Sequence, residues 1–235
     1  MNIIRNDRLI HRNSRIAMIT TFGGLFVLLG GLLISFKSPE QMGLSWAALM
    51  LGFLLSQLGI YFSNRWGRHP RPDEQLDTAL KGLDSRHTLY HYSTPVPHLL
   101  VGPSGLWVIM PYYQRGTITC SNGRLKQKGN LGLSFLKVFA QEGLGRPDLE
   151  VDGAIDSLRS YLGKRMEGYD LPSINAAMVF TNPKVELDIP EGETPPAPAV
   201  LLKGLKSLVR KEAKSKSLSQ EKVKLIEDAL LRTKS

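Results

Sequence analysis

Three of the five histidines in this sequence lie close together and could serve as metal ligands: His87, His91 and His98. On a strand each residue advances about 3.3 Å, so His87 and His91 share a face but stand too far apart to bind one ion. Cys120 is the single cysteine, which leaves no disulfide, zinc cluster or redox pair, and no His and acid spacing marks it as a nucleophile. We therefore expect no metal site and no cofactor.

Basic side chains are the second group of candidate functional residues, because they could bind a polyanion. The chain carries a formal net charge of +9. They include two clusters from residue 115 onward: Arg115, Arg124, Lys126 and Lys128, then Lys203, Lys206, Arg210, Lys211 and Lys214. Such clusters suit a polyanion, either nucleic acid or the anionic inner leaflet of a membrane. Binding to nucleic acid would weaken steeply with salt. The sequence favours contact with lipid, or plain solvation, over nucleic acid.

Two long uncharged segments near the N-terminus predict a membrane anchor in the lipid bilayer. Residues 16–36 and 42–62 contain no charged side chain, and about 20 apolar residues in a helix cross a hydrocarbon core of roughly 30 Å. Residues 37–41 between them are polar and include Pro39, so the chain is expected to turn back as a helical hairpin. A cleaved signal peptide has a shorter apolar core and is not followed by a second span.

The basic residues beside these segments predict the orientation of the hairpin. The connecting loop holds only Lys37 beside Glu40, whereas the open end is flanked by Arg5, Arg8, Arg12, Arg15, Arg65, Arg68 and Arg71. Both termini are therefore expected in the cytoplasm, with a multi-pass chain in a cell inner membrane or plasma membrane. No ionisable residue lies within either segment, which argues against a transporter or a proton channel.

Small residues recur at every fourth position of the second segment: Ala48, Gly52 and Ser56. Such a stripe allows another helix to approach closely. Contact with the first segment, which has its own Thr20 and Gly24, is favoured. An interface with another membrane subunit is the alternative.

The rest of the chain predicts a mixed α/β domain that opens with a helix at residues 71–74, where a proline and two acids suit a first turn. Apolar periodicity predicts strands at 87–93, 98–101, 106–110, 116–120, 124–128 and 174–180, and further helices at 148–166, 203–214 and after 217–220. Asn122-Gly123 predicts a turn in a polar, basic hairpin that projects from the core. Residues 191–198 predict an exposed loop.

This order of elements predicts a three-layer α/β core behind the transmembrane hairpin. The expected organisation is a basic cytoplasmic tail (1–15), the hairpin (16–63), a basic juxtamembrane linker (64–71), the α/β domain (72–200) and basic C-terminal helices (201–235). Everything except the hairpin lies on the cytoplasmic side in this interpretation.

One stretch of the domain resembles a known family. Residues 98–109, His-Leu-Leu-Val-Gly-Pro-Ser-Gly-Leu-Trp-Val-Ile, are similar to a strand pair of the nuclease-related domain (NERD) family, a branch of the PD-(D/E)xK nuclease fold often attached to membrane segments. Glu74 and the pattern at residues 218–223 add to the resemblance, which covers the chain from about residue 73 onward. It implies a restriction-endonuclease-like domain.

The same resemblance implies a nuclease site that has lost its ligands. The family's motif places an aspartate just before the stretch that begins at His98, where this chain has Pro97. It places Glu-x-Lys just after that stretch, where this chain has Met110 and Tyr112. Only Glu74 remains, and one carboxylate cannot hold and orient a hard divalent cation. The expected result is a pseudoenzyme.

Three functions are compatible with these observations. The favoured one is a non-enzymatic scaffold, interaction module or accessory subunit of a membrane assembly. The alternatives are a nucleic-acid-binding protein and a residual metal-dependent nuclease at the membrane surface, whose migrated ligands would come from Glu74, Asp77, Asp148, Glu150 or Asp152.

Overall fold

The structure is a computed structural model, and it describes residues 1–128, 143–215 and 217–231. These residues divide into two compact units. A helical unit comprises Asp7–Arg71, and an α/β unit comprises Met1–Asn6 together with the described residues from Pro72 onward. The α/β unit is therefore built from two stretches of chain, one before and one after the helical unit.

The helical unit contains two long helices joined by a short turn. Its elements are α1 (Asp7–Lys37), a 3-10 turn (Pro39–Gln41), α2 (Met42–Phe62) and a π-helical turn (Ser63–Gly67). Among the described residues, two helical segments have the length and apolarity needed to cross a membrane. With 31 residues, α1 is about 46 Å long. It therefore exceeds the roughly 30 Å of a hydrocarbon core by several turns.

Small residues allow α1 and α2 to pack closely against each other. A Cβ added to Gly52 would lie 2.9 Å from the Leu28 backbone nitrogen, and one added to Gly24 would lie 2.7 Å from Ser56 Oγ. Larger side chains at these two positions would push the helices apart. Ala48 also faces α1, so all three small residues singled out in the second segment are used within this chain.

The α/β unit has a six-stranded sheet and a three-stranded sheet. The larger contains β1 (Asn2–Arg5), β2 (Thr88–His91), β3 (His98–Gly102), β4 (Gly105–Tyr112), β7 (Ile174–Phe180) and β9 (Ala199–Leu201), and the smaller contains β5 (Gly116–Ser121), β6 (Arg124–Gln127) and β8 (Val185–Asp188). Their orders are β1-β2-β3-β4-β7-β9 and β6-β5-β8. The large sheet is mixed: β2, β3 and β4 are antiparallel neighbours, whereas β1, β7 and β9 pair in parallel with β2, β4 and β7.

Helices cover both faces of the large sheet. They are α3 (Pro72–Leu80), α4 (Pro147–Gly163), α5 (Leu205–Ser215) and α6 (Gln220–Leu231). On one face α3 and α5 pack Leu76 and Val209 against Leu100 and Ile109. On the other face α4, α6 and the smaller sheet enclose a larger apolar core. The mixed α/β class agrees with the sequence, because strands with continuous apolar runs need cover on both faces.

The N-terminal segment differs from its description as a tail. Residues 1–15 contain β1 and the first turns of α1. Ile4 packs against the larger core, and β1 pairs in parallel with β2. Because the partner strand lies far away in sequence, the local pattern showed only the arginines of this segment.

The second half of the chain also differs from the prediction in two places. The β5–β6 hairpin does not project from the core. Its Ile118, Cys120 and Leu125 are buried in the larger apolar core, because apolar residues alternate with polar ones along its strands. The short strands β8 and β9 were not predicted. β9 begins just after the proline-rich loop, and its parallel pairing with β7 is not visible in local sequence.

Candidate functional site

A buried row of polar side chains crosses three neighbouring strands of the large sheet. Arg5 on β1 is in register with His91 on β2, and His91 is in register with His98 on β3. Residues directly opposite each other on adjacent strands project from the same face. Both histidines are buried, so the row lies largely away from bulk water.

The helix α3 brings two carboxylates to this row. Asp73 and Asp77 are four residues apart, which places them on the same side of the helix. Arg5 Nε lies 3.2 Å from Asp73 Oδ2, and a terminal guanidinium nitrogen of Arg5 pairs with Asp77 Oδ2. Asp73 is fully buried, and the Arg5 guanidinium supplies the positive charge that such burial requires. We call Arg5, Asp73, Asp77, His91 and His98 the buried polar cluster.

Hydrogen bonds continue from Asp77 through the two histidines. His91 Nε2 donates to Asp77 Oδ1 at 3.0 Å, because a carboxylate oxygen accepts only. His91 Nδ1 lies 2.7 Å from His98 Nδ1. One of these two nitrogen atoms must donate and the other accept, so a proton on both would break the bond.

Burial lowers the pKa of His98 well below its usual value of 6.5, and the neighbouring His91 lowers that pKa further. His98 is therefore neutral at physiological pH. The charged members of the cluster are Arg5 from β1, and Asp73 and Asp77 from α3. The cluster thus joins β1, β2, β3 and α3 through hydrogen bonds that require one histidine nitrogen to remain unprotonated.

The ion pairs and hydrogen bonds of the buried polar cluster hold β1, β2, β3 and α3 together. Within residues 1–128, 143–215 and 217–231, no group of three or more His, Cys, Asp or Glu could hold a metal ion. His87 lies apart from the cluster, with Nε2 at 3.1 Å from Ser104 Oγ.

The residues at the expected nuclease positions are not brought together. Glu74 lies on α3, which packs on one face of the large sheet. Met110 and Tyr112 pack into the core on the opposite face. Pro97 is exposed in the loop before β3. Of this set only His98 belongs to the buried polar cluster.

Tyr112, which the resemblance puts at the position of a lysine, makes a contact of its own. Its hydroxyl donates to Glu150 Oε2 on α4 at 2.9 Å, and its ring stacks on Phe180. Burial raises the pKa of the Tyr112 hydroxyl above its usual range, and Glu150 raises it further. The phenol is therefore neutral and held in place, and it cannot supply a positive charge beside a phosphate.

Carboxylates of the α/β unit neutralise part of the basic β5–β6 hairpin. Arg124 Nε lies 3.7 Å from Asp148 Oδ2, and Lys128 Nζ lies 3.2 Å from Asp188 Oδ2. The remaining basic residues of this segment are the exposed Lys126 and the half-buried Arg115. The hairpin is thus less attractive to a polyanion than its sequence indicates.

Sequence reasoning missed Glu193, which lies in the segment predicted as an exposed loop. Its carboxylate accepts hydrogen bonds from the backbone N–H groups of Asn122 and Gly123, both at 3.1 Å. These two residues have φ of 53° and 71°, as a tight Asn-Gly turn requires. The two hydrogen bonds lower the pKa of Glu193. The donors of this turn are therefore already occupied by a carboxylate.

The five basic residues of the cluster at 203–214 divide into two groups. Lys206 Nζ donates to the Lys81 carbonyl at 2.8 Å, and Arg210 donates to the Gly82 carbonyl at 3.0 Å. Both cations therefore lie at the C-terminal end of α3, where positive charge is favourable. The other three, Lys203, Lys211 and Lys214, are exposed.

Arg5 and Asp73 were also missed as members of a site. By its local sequence Arg5 belongs to a basic tail, and Asp73 belongs to the first turn of a helix. The available signal was the spacing of Asp73 and Asp77, which puts two carboxylates on one side of α3 next to the buried Leu76 and Leu80. Carboxylates on a buried helix face require a cationic partner.

No family model, no curated protein and no solved structure matches this chain.

Proposed function

We propose that this chain is a membrane-anchored, non-enzymatic module that serves as a scaffold or accessory subunit of a membrane assembly. Two helices of sufficient length and apolarity support the anchor. The proposal that the chain is not a nuclease rests on one observation. Glu74 and Tyr112, at two of the expected nuclease positions, lie on opposite faces of one sheet. A cation cannot be shared by side chains that lie on opposite faces of a packed sheet.

A relation to the NERD family belongs to the same proposal. The motif residues form β3, a tight turn and β4, with Gly105 at a φ of 97° in the turn. A strand pair at these residues supports the proposed relation. In the proposed interpretation the domain keeps a nuclease-like strand pair, while Met110 and Tyr112 serve packing instead of metal binding.

The proposed topology places both ends of the chain in the cytoplasm. Support comes from β1, which precedes α1 in sequence but pairs with β2, which follows α2. Two strands of one sheet must lie on the same side of a membrane. The arginines beside the helices favour the cytoplasmic side.

Extraction and copurification test this function. We expect the full-length protein to stay with membranes during alkaline carbonate washing and to copurify with a stable partner in mild detergent. Release of the protein from membranes by carbonate would contradict the proposed membrane anchor. A strictly monomeric protein in mild detergent would remove the scaffold or subunit role.

A further inference from the structure

The N-terminal turns of α1 carry an exposed row of arginines. Arg8, Arg12 and Arg15 are spaced by four and three residues, so they lie on one side of the helix. All three are exposed. In the part of the chain that the structure describes, none of them forms an ion pair with a carboxylate, and Arg12 only reaches the side chain of Asn13 at 3.4 Å.

The same side of α1 continues as an apolar surface. Ile19, Phe22 and Phe26 extend the row at the same spacing, and they are 67%, 56% and 70% exposed. The residues that α1 buries, among them Ala17 and Gly24, lie on other sides of the helix. One continuous strip is therefore cationic at its N-terminal end and apolar along the rest.

Two glycines border this strip and leave space beside the apolar side chains. A Cβ added at Gly23 or at Gly30 would meet no atom within 4 Å. The surface next to Phe22 and Phe26 is therefore recessed, which gives a flexible hydrocarbon chain a place to lie.

The length of α1 positions the arginines at the level of lipid headgroups. The uncharged part of the helix begins at Ile16, and about 20 residues span the hydrocarbon core. Arg15 therefore lies at the interface, and Arg12 and Arg8 follow at about 4.5 Å and 10 Å further along the axis. A headgroup layer is about 5–7.5 Å thick, so Arg15 and Arg12 lie within it, and the long side chain of Arg8 reaches back to its outer edge.

We propose that this strip of α1 binds an anionic phospholipid whose headgroup carries more than one negative charge. This inference rests on the proposed insertion of the helical unit into a membrane. Guanidinium groups pair with phosphate oxygens through two parallel hydrogen bonds, and three guanidinium groups exceed the charge of a single phosphodiester. The headgroup lies at Arg8, Arg12 and Arg15, and an acyl chain lies along Ile19, Phe22 and Phe26.

Lipid binding by the purified full-length protein tests the inference. The probes are cardiolipin, phosphatidylglycerol and phosphatidylcholine, added to the protein in neutral detergent and counted by native mass spectrometry. Detergent removes any influence of the arginines on the direction of membrane insertion. We expect cardiolipin to bind more tightly than phosphatidylglycerol, and phosphatidylcholine to bind least.

Two triple variants with the same loss of charge separate a site from general attraction. The first is Arg8→Gln, Arg12→Gln and Arg15→Gln, and the control is Lys203→Gln, Lys211→Gln and Lys214→Gln on the α/β unit. We expect cardiolipin affinity to fall about tenfold or more in the first variant, since each cation near a lipid surface contributes measurably. We expect no change in the control.

Three results would overturn the inference. The first is equal affinity of the wild type for all three lipids, the second is equal losses in both triple variants, and the third is a cardiolipin affinity that stays unchanged in the arginine variant. A protein that fails these tests but resists carbonate extraction keeps its proposed anchor. A protein that carbonate releases loses the anchor itself, so the two failures are distinguishable.

Discussion

At the scale of single residues, the stability of the α/β unit depends on the charged and polar groups of the buried polar cluster. Asp73 is fully buried and Asp77 is largely so, and both depend on Arg5. His91 and His98 depend on each other for one hydrogen bond. A change at any of these positions removes a charge or a hydrogen bond from a partner that is buried or partly buried, which costs more than the bond itself is worth.

Arg5→Gln is expected to destabilise the α/β unit strongly. Loss of the guanidinium leaves Asp73 and Asp77 without their cation, and removing one partner of a buried ion pair costs about 3 kcal/mol or more. Urea unfolding followed by the fluorescence of the buried Trp107 measures the change in the free energy of unfolding. The matched control Arg159→Gln removes an exposed arginine and is expected to change it by less than about 0.5 kcal/mol. Equal effects of the two variants would contradict the role of Arg5.

Acid is expected to destabilise the α/β unit through His98. Its folded-state pKa is lowered, so between that pKa and the unfolded value of 6.5 the unfolded chain binds more protons. Stability is therefore complete above pH 6.5 and falls as the pH drops below it. His87, whose pKa burial also lowers, acts in the same direction.

A pair of histidine variants isolates this effect. Thermal unfolding in detergent at pH 7.5 and pH 5 should show a smaller acid-induced loss of Tm in His98→Asn than in the wild type. The exposed His11, changed to Asn, serves as the control and should leave the pH dependence unaltered. An unchanged pH dependence in His98→Asn would show that this histidine does not titrate with folding.

At the scale of secondary structure, the elements that sequence predicts well are those whose pattern is local. β7 was expected at 174–180 and spans Ile174–Phe180, because a continuous apolar run ends at Asn182-Pro183. The Asn122-Gly123 turn follows from the left-handed conformation that both residues tolerate. In contrast, β1 and β9 are short strands that pair in parallel with distant segments. Their identity depends on partners that no local window contains.

The candidate site was predictable only in part for the same reason. The sequence marks His91 and His98 as residues that could bind a metal, but their contact with each other depends on the register of β2 and β3. Arg5 joins them only because β1 enters the sheet. The absence of carboxylates at Pro97, Met110 and Tyr112 can be read from residue types alone, whereas the separation of Glu74 and Tyr112 depends on the packing of α3.

Packing of α1 on α2 is expected to depend on glycine at specific positions. Gly52→Leu places a side chain where the Leu28 backbone nitrogen lies 2.9 Å from the added Cβ, so the helices must separate. Overpacking of this kind costs about 1–3 kcal/mol. Gly30→Leu is the control, because its Cβ meets nothing within 4 Å. The melting temperature of the protein in detergent should fall for Gly52→Leu only, and equal effects would argue against this helix contact.

At the scale of the whole molecule, the helical unit is an insertion between the first and second strands of a sheet. Asn2–Arg5 precedes α1, and the rest of the sheet follows α2. Residues on both sides of the hairpin in sequence therefore fold together. Removal of residues 1–6 would take away an edge strand and Arg5 at once, so a fragment that starts at Pro72 is expected to be less stable than the full chain.

Cysteine labelling tests the proposed topology. In a Cys120→Ser background, Glu40→Cys lies in the loop between α1 and α2, and Glu191→Cys lies in an exposed loop of the α/β unit. A membrane-impermeant maleimide applied to intact cells should label Glu40→Cys, and should label Glu191→Cys only after lysis. The reverse pattern would place the α/β unit outside the cytoplasm.

Absence of nuclease activity is the claim on which the proposed function most depends. The direct measurement is incubation of the purified full-length protein with single-stranded and double-stranded DNA and with RNA in Mg²⁺ and in Mn²⁺. We expect no cleavage above that of a Glu74→Ala variant purified in the same way. Metal-dependent cleavage by the wild type that disappears in Glu74→Ala would contradict the proposal.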